Sequence, residues 1–315
     1  MFAARGGTAL EIMMSLITFS RERADARVGR DDGSKKITVP YLTEKKLLRR
    51  PISAVTAYDY ASARLVDEAG LDVLLVGDSL AMVMQGHENT LAVTMDEMLL
   101  YTRGVRRGVK RALLVADMPF GSYTDAHEGV ANAVRFVKEA GAEAVKLEGG
   151  RERAELVRRV VDAEIPVMGH LGLTPQSVHR MGGYKVQGKT MEAIDALRTD
   201  AMALEEAGCF ALVLEGVPRE LARIVTEELR IPTIGIGAGP DCDGQILVLH
   251  DIMTMTFSKP AKFVRRYADV GGLMQTALGE YKRDVEARTF PSDAESYHLS
   301  QEMRELVGTS VEVLK

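Results

Sequence analysis

A closed (β/α)8 barrel, the TIM-barrel class of α/β fold, is predicted by three observations. One helix–strand pattern recurs, eight short apolar runs alternate with helical stretches, and no break in composition divides them. The pattern is plainest in EAGLDVLLVGD from Glu68, EAGAEAVKLEG from Glu139 and EAGCFALVLEG from Glu206. In each, Glu-Ala-Gly closes a helical stretch, and a short run rich in Val and Leu follows and ends on an acidic residue. Glycine at a helix end suits the left-handed position that stops the helix. Unbroken apolar runs suit parallel strands covered on both faces.

In chain order, the strands are expected at residues 52–57, after Gly70, at 112–116, after Gly141, at 165–169, after Gly208, at 232–236 and, more weakly, at 245–249. Helical stretches are read at 60–69, 96–108, 126–140, 152–163, 191–207 and 218–229. An open doubly wound sheet is the competing architecture, but it needs a Gly-rich first turn, and Tyr58-Asp59-Tyr60 stands there instead. The connection at 171–190 is far longer than the others and falls on the strand-exit side, where long loops serve as lids or binding loops.

Composition bounds the function classes. Aromatic residues are only 5% and Trp is absent, so the core must be built from Val, Leu, Ile, Ala and Met. A net charge of −5 gives no general attraction to nucleic acid or anionic membrane. The basic group Arg103, Arg106, Arg107, Lys110 and Arg111 reads as the solvated side of a helix and its following turn. Two cysteines exclude a disulfide framework and point to a reducing, cytoplasmic setting. Cys209 is expected as a buried small hydrophobe, and Cys242, between Asp241 and Asp243, as a surface residue. No apolar run approaches the ~20 residues that span a bilayer. Residues 1–35 read as a flexible, dispensable tail, with Met13 and Met14 as alternative starts, and residues 36–315 as a single catalytic barrel domain.

Barrel active sites lie at the C-terminal ends of the strands. Read in order, those ends carry Asp78-Ser79, Asp117, Lys146 with Glu148, His170 and Glu215. Lys146 and Glu148 are two apart and share a side of one strand, Asp117 shares a face with Leu113 and Val115, and Asp78 is read with Leu74 and Val76. Each residue alone has a plain alternative: a strand-end Asp is often a helix cap, Glu148 a turn residue, His170 a hydrogen-bonded core histidine. Four carboxylates and a lysine at equivalent strand exits are a poor coincidence. Such oxygen donors suit Mg²⁺, whose remaining positions would chelate a 2-oxo acid, and no Cys/His spacing suits zinc. A metal on the carbonyl oxygen would ease removal of the neighbouring C–H proton, with Lys146 as a second positive charge and a remaining carboxylate as base. GIGAG at 235–239 lacks the spacing of a nucleotide-binding loop and reads first as a close backbone approach, with phosphate binding as the lesser alternative.

TAYDY at Thr56, LLVGDSL at Leu74, GHENTLAVT at Gly86, VKLEGG at Val145, GHLGLTPQSV at Gly169, GGYKVQGK at Gly182 and IGIGAGPDCDGQILVLHD at Ile234, in this order, resemble the ketopantoate hydroxymethyltransferase family. The resemblance runs from about Lys36 to His298. It implies a barrel, Mg²⁺, 5,10-methylenetetrahydrofolate as one-carbon donor, 3-methyl-2-oxobutanoate as acceptor, and a homodecamer. It also implies Asp78, Asp117 and Glu148 around the metal, the last directly or through water. Asp78, Ser79, Asp117 and Lys146 would contact the 2-oxo acid, Glu215 would be the catalytic proton acceptor, and His170 a positioning residue. The folate contacts are not assigned. Two other readings compete: a folate-independent 2-oxo acid lyase or phosphoenolpyruvate mutase relative, and a catalytically silent metabolite-binding protein.

Overall fold

The computed structural model describes residues 35–312, with side chains to residue 307. The expected tail, residues 1–34 at least, lies outside the described residues, and the elements below all belong to the compact unit Ile37–Lys315. In chain order they are α1 (Val39–Leu47), β1 (Ile52–Thr56), α2 (Tyr60–Glu68), β2 (Val73–Val76), the single turn α3 (Leu80–Val83), α4 (Met95–Gly108), β3 (Leu113–Asp117), α5 (Ala126–Ala140) and β4 (Ala144–Glu148). A 3₁₀ turn at Arg151–Arg153 leads into α6 (Ala154–Asp162), followed by β5 (Val167–Gly172), a second 3₁₀ turn at Pro175–Ser177 and the short α7 (Val178–Met181). Then come α8 (Met191–Glu206), β6 (Ala211–Glu215), α9 (Arg219–Glu228), β7 (Thr233–Ile236), β8 (Gly244–Leu247), α10 (Leu249–Ile252), α11 (Val270–Glu286) and α12 (Gln301–Glu312).

All eight strands are parallel, each pairs with the next in sequence, and β8 closes on β1. Every expected strand is found within a few residues of its predicted bounds. The glycines of the recurring pattern take the left-handed conformation expected of them, with φ of +82° at Gly70, +73° at Gly141 and +103° at Gly208. Side chains that would be strained there are thereby avoided, and each chain reversal delivers its strand directly to the barrel.

Alternation along the strands separates two apolar layers. Ile52, Ala54, Val73, Leu75, Leu113, Val115, Ala144, Met168, Ala211 and Val213 form one buried cluster inside the barrel. Leu74, Val76, Leu114, Ala116, Val145, Leu147, Leu212 and Leu214 belong to the other, packed with the helices. Ile37 and Leu42, from the entry to α1 and from α1 itself, join the inner cluster, so this helix caps the end opposite the strand exits. Lys45 and Lys46 fix it there through ion pairs of 2.7 Å to Asp72 and to Asp243, the residues just before β2 and β8.

The layers correct one expectation. Leu74 and Val76 face the helices, so alternation along β2 would send Asp78 outward as well. The strand instead stops at Val76 and the chain turns at Gly77, where a Cβ would stand 2.9 Å from the Ser79 Oγ. That turn, rather than the pleat, brings Asp78 into the mouth of the barrel. A second correction concerns Cys242, which is partly buried against the core rather than on the surface, while Cys209 is buried as expected. The basic group lies on the wet side of α4 and the turn beyond it, with Arg103, Arg107 and Lys110 exposed. In the GIGAG run, a Cβ on Gly237 would lie 2.6 Å from the Phe263 ring, which accounts for glycine there as a close approach.

The last βα unit departs from the regular barrel. No residue of α11 is buried, and Leu273, Met274, Leu278 and Tyr281 stand exposed on it. Among the described residues no helix is long and apolar enough to cross a membrane.

Candidate active site

The strand exits surround a cavity of about 630 Å³. Asp78, Ser79, Asp117, Lys146, Glu148, His170 and Glu215 all line it, so the structure gathers every site residue singled out in the sequence. Asp117 ends β3, Lys146 and Glu148 lie at the end of β4, His170 lies in β5 and Glu215 ends β6. In strand alternation Asp117, Lys146, His170 and Glu215 stand one step above the inner apolar layer and Glu148 two, so the polar groups meet where the hydrophobic filling stops.

Lys146 is at the centre of a buried charge cluster. Its Nζ lies 2.8 Å from Asp117 Oδ1, 3.9 Å from Glu148 Oε1 and 3.2 Å from His170 Nδ1. The imidazole continues the chain, with Nδ1 3.4 Å from Glu148 Oε1 and Nε2 3.3 Å from Glu215 Oε2. The Asp78 backbone N–H donates to Asp117 Oδ2 at 3.3 Å. Asp78, Asp117, Lys146, Glu148 and His170 are all buried, whereas the Glu215 side chain keeps 15% of its surface exposed and stands on the open side.

Burial sets the titration of these groups. It pushes the Asp78 carboxyl well above the usual range, helped by the neighbouring charges of Asp117 and Glu148. Asp117 is also raised by burial, which the nearby Lys146 ammonium only partly offsets. Glu148 goes the other way: burial would raise it, but the hydrogen bond and charge of His170, together with Lys146, hold it below its ordinary value. His170 is depressed by burial and by Lys146, yet Glu148 and Glu215 on its two nitrogens carry it up to about 9. Lys146 stays charged because the three carboxylates around it outweigh its desolvation.

Among the described residues, no three His, Cys, Asp or Glu side chains form a ready-made metal cage. The donor set nonetheless fits a hard divalent ion. Asp78, Asp117 and Glu148 are buried around one ammonium and one imidazole, and Glu215 adds a fourth carboxyl beside them, so the cluster is short of positive charge. Asp117 Oδ1 and Glu148 Oε1 are buried, the first held by the Lys146 ammonium at 2.8 Å and the second only by longer contacts to Lys146 and His170. Mg²⁺ needs only one or two carboxylates, with water and substrate oxygens completing its shell.

Two further residues shape the site and were not singled out by sequence. Gln176, in the connection after β5, donates its side-chain amide to Asp78 Oδ2 at 2.9 Å. Tyr58 shares a hydrogen bond of 2.8 Å with Ser79. Both lie within the motif strings TPQSV and TAYDY, but nothing in their spacing reveals those partners.

A family model described as ketopantoate hydroxymethyltransferase matches residues 36–293. The chain belongs to the ketopantoate hydroxymethyltransferase family. It is 61% identical over 272 residues to the 3-methyl-2-oxobutanoate hydroxymethyltransferase of Koribacter versatilis (strain Ellin345), covering 86% of this chain and 92% of that relative. Identity to the protein of the same description from Anaeromyxobacter dehalogenans (strain 2CP-1 / ATCC BAA-258) is 57%, over 84% of this chain and 89% of the relative. The family's barrel is also similar to solved structures of distant sequence. A phosphonopyruvate hydrolase complex with oxalate and Mg²⁺ aligns with a TM-score of 0.57 at 16% identity, covering 88% of this chain and 98% of that one. A 2,3-dimethylmalate lyase aligns at 0.53 and 18%, covering 88% and 94%. At such identities the likeness is one of fold, and the competing mutase and lyase readings gain nothing from it.

Proposed function

We propose that this family member transfers a hydroxymethyl group from 5,10-methylenetetrahydrofolate to 3-methyl-2-oxobutanoate, giving ketopantoate. The observation that carries the reading is the cluster of three buried carboxylates around Lys146, with a fourth, Glu215, on the open side of the same cavity. That arrangement separates a charge-stabilising floor from a group free to accept a proton.

Asp78 and Asp117 would hold Mg²⁺, with Glu148 bound directly or through water. When bound, the ion draws negative charge onto the keto oxygen and so lowers the cost of removing the neighbouring C–H proton. The Lys146 ammonium, already desolvated and fixed by Asp117, would donate to an oxygen of the 2-oxo acid without reorganising as charge develops there. Ser79, held by Tyr58, would orient the same substrate. Glu215 would take the C3 proton, and His170, bridging Glu148 and Glu215, would keep its carboxylate aimed. The carbanion so formed at C3 attacks the folate-bound methylene carbon, and water then replaces the folate nitrogen on that carbon. Met82, Val83, Met255 and Phe263 also line the cavity, an apolar wall that supports room for the flat second substrate beside the 2-oxo acid.

Exchange of the C3 proton of 3-methyl-2-oxobutanoate in D2O, followed by NMR, tests the first half of this reaction separately from the second. Exchange is expected with Mg²⁺ and not with EDTA, and addition of methylenetetrahydrofolate should then yield ketopantoate. Exchange without product would remove folate from the reading. No exchange by folded protein with Mg²⁺ would remove the enolate chemistry itself.

Self-association, as a homodecamer, belongs to the same proposal. It is supported by α11, a helix of 17 residues that buries none of them in its own chain and exposes Leu273, Leu278 and Tyr281. Light scattering should give a mass near ten times 34.4 kDa, and a monomer mass would overturn it.

A further inference from the structure

We propose that Gln176 is a positioning residue that fastens the connection after β5 to two of the carboxylates around the metal, so that metal binding and seating of that loop are one event. This rests on the Mg²⁺ reading above. Gln176 sits in the 3₁₀ turn Pro175–Ser177 and is buried, at 7% exposure, although it belongs to a loop.

Its amide is fully engaged. Nε2 donates to Asp78 Oδ2 at 2.9 Å and to the Met118 carbonyl at 3.0 Å, and Oε1 accepts from the Tyr123 hydroxyl. Its own backbone N–H donates to Glu148 Oε2 at 3.0 Å. The Tyr123 oxygen in turn accepts from the Glu148 backbone N–H at 3.3 Å, which closes a ring of contacts around both carboxylates. The amide has one workable orientation. Turned over, its oxygen would face the Asp78 carboxylate and the Met118 carbonyl, two acceptors, and both bonds would be lost.

The consequence for the carboxylates is selective. Gln176 takes one oxygen of each, Asp78 Oδ2 and Glu148 Oε2. It leaves Asp78 Oδ1 and Glu148 Oε1, and the latter makes only longer contacts, 3.4 Å to His170 Nδ1 and 3.9 Å to Lys146 Nζ. A carboxylate held by one oxygen presents the other in a fixed direction, and loss of such an outer contact typically weakens metal binding about 10–100-fold. Leu173, Pro175 and Tyr184 of the same connection line the cavity, so the residue that orients the carboxylates also holds the wall against which substrate would lie. Coupling of this kind is reciprocal: a loop that tightens the metal is itself tightened by it.

Gln176→Met keeps the length of the side chain and removes its hydrogen bonds, and Tyr123→Phe removes only the hydroxyl that orients the amide. Mn²⁺ serves as the probe, bound to the full-length protein and counted by EPR of the free ion. Gln176→Met is expected to raise the Mn²⁺ dissociation constant about 10–100-fold, with Tyr123→Phe raising it less. In parallel, Mn²⁺ should protect wild type from trypsin at the exposed Arg180, Lys185 and Lys189, and that protection should vanish in Gln176→Met at the same metal concentration. A change confined to thermal stability, with the dissociation constant and the protection both unmoved, would overturn the proposal and leave the metal reading intact. Should Gln176→Met fail to fold, an unaltered Mn²⁺ affinity in Tyr123→Phe would overturn it equally. Wild type that takes up no Mn²⁺ at all would bring down the metal reading, and this inference with it.

Discussion

Glu215→Gln is expected to lower C3 proton exchange of 3-methyl-2-oxobutanoate by about 10²–10⁴-fold while leaving binding of the 2-oxo acid, measured by calorimetry with Mg²⁺, nearly unchanged. The substitution is isosteric. Its amide oxygen can still accept from His170 Nε2, which stands 3.3 Å from Glu215 Oε2, so the ring that aims it is retained. What disappears is the capacity to take a proton. The cluster beneath, Asp78, Asp117, Lys146 and Glu148, makes none of its close contacts through Glu215, so the charge-stabilising floor stays in place. A fall in kcat with little change in affinity is the signature of a group that acts only as the C–H bond breaks. Normal exchange in the variant would remove Glu215 as the base.

The ease with which the barrel is read has a local cause. A strand buried on both faces must be apolar throughout, and a left-handed residue commonly ends the helix before it, so Gly70, Gly141 and Gly208 mark the approach to β2, β4 and β6. The site residues are legible for a related reason. Where a strand leaves the apolar filling, a charged residue stands out against Val and Leu, as Lys146 does within AVKLE. Asp78 shows the limit of that logic. It reaches the cavity through the turn at Gly77, against the alternation of its own strand, so the pleat alone puts it on the opposite face.

Gln176 was hidden for a different reason. Its partners Asp78, Met118 and Glu148 lie 98, 58 and 28 positions away, and a glutamine in a polar loop carries no sign of them. The segment after β8 is similar: Asp251, Met255 and Phe263 line the cavity, but only closure of β8 on β1 carries the chain there. Contacts made by neighbours in sequence are readable. Those made by closure of the barrel are not.

Lys146→Met should carry the largest cost to stability, about 3–5 kcal/mol at neutral pH in EDTA, the range for removing one partner from a buried ion pair. The volume is nearly kept, so the loss is electrostatic. Asp117, 2.8 Å from the ammonium, would remain buried without its counter-charge, and Glu148, at 3.9 Å, would keep only His170. The carboxyls escape that penalty only by taking up protons, which fixes the sign of the pH dependence. Asp78 and Asp117 already titrate above their ordinary values in the folded protein. A carboxyl raised on folding contributes stability that is complete below its unfolded value, about 3.9 for Asp, and is lost as pH climbs through its folded value. Removing the ammonium raises both further, so the deficit of Lys146→Met relative to wild type should widen as pH rises from 5 to 8. Urea unfolding midpoints at the two ends of that range give the comparison. Mg²⁺ should narrow the gap at pH 8, because an ion among the same carboxylates supplies the missing charge. A deficit that ignores both pH and Mg²⁺ would mean that Lys146 matters here for its packing alone.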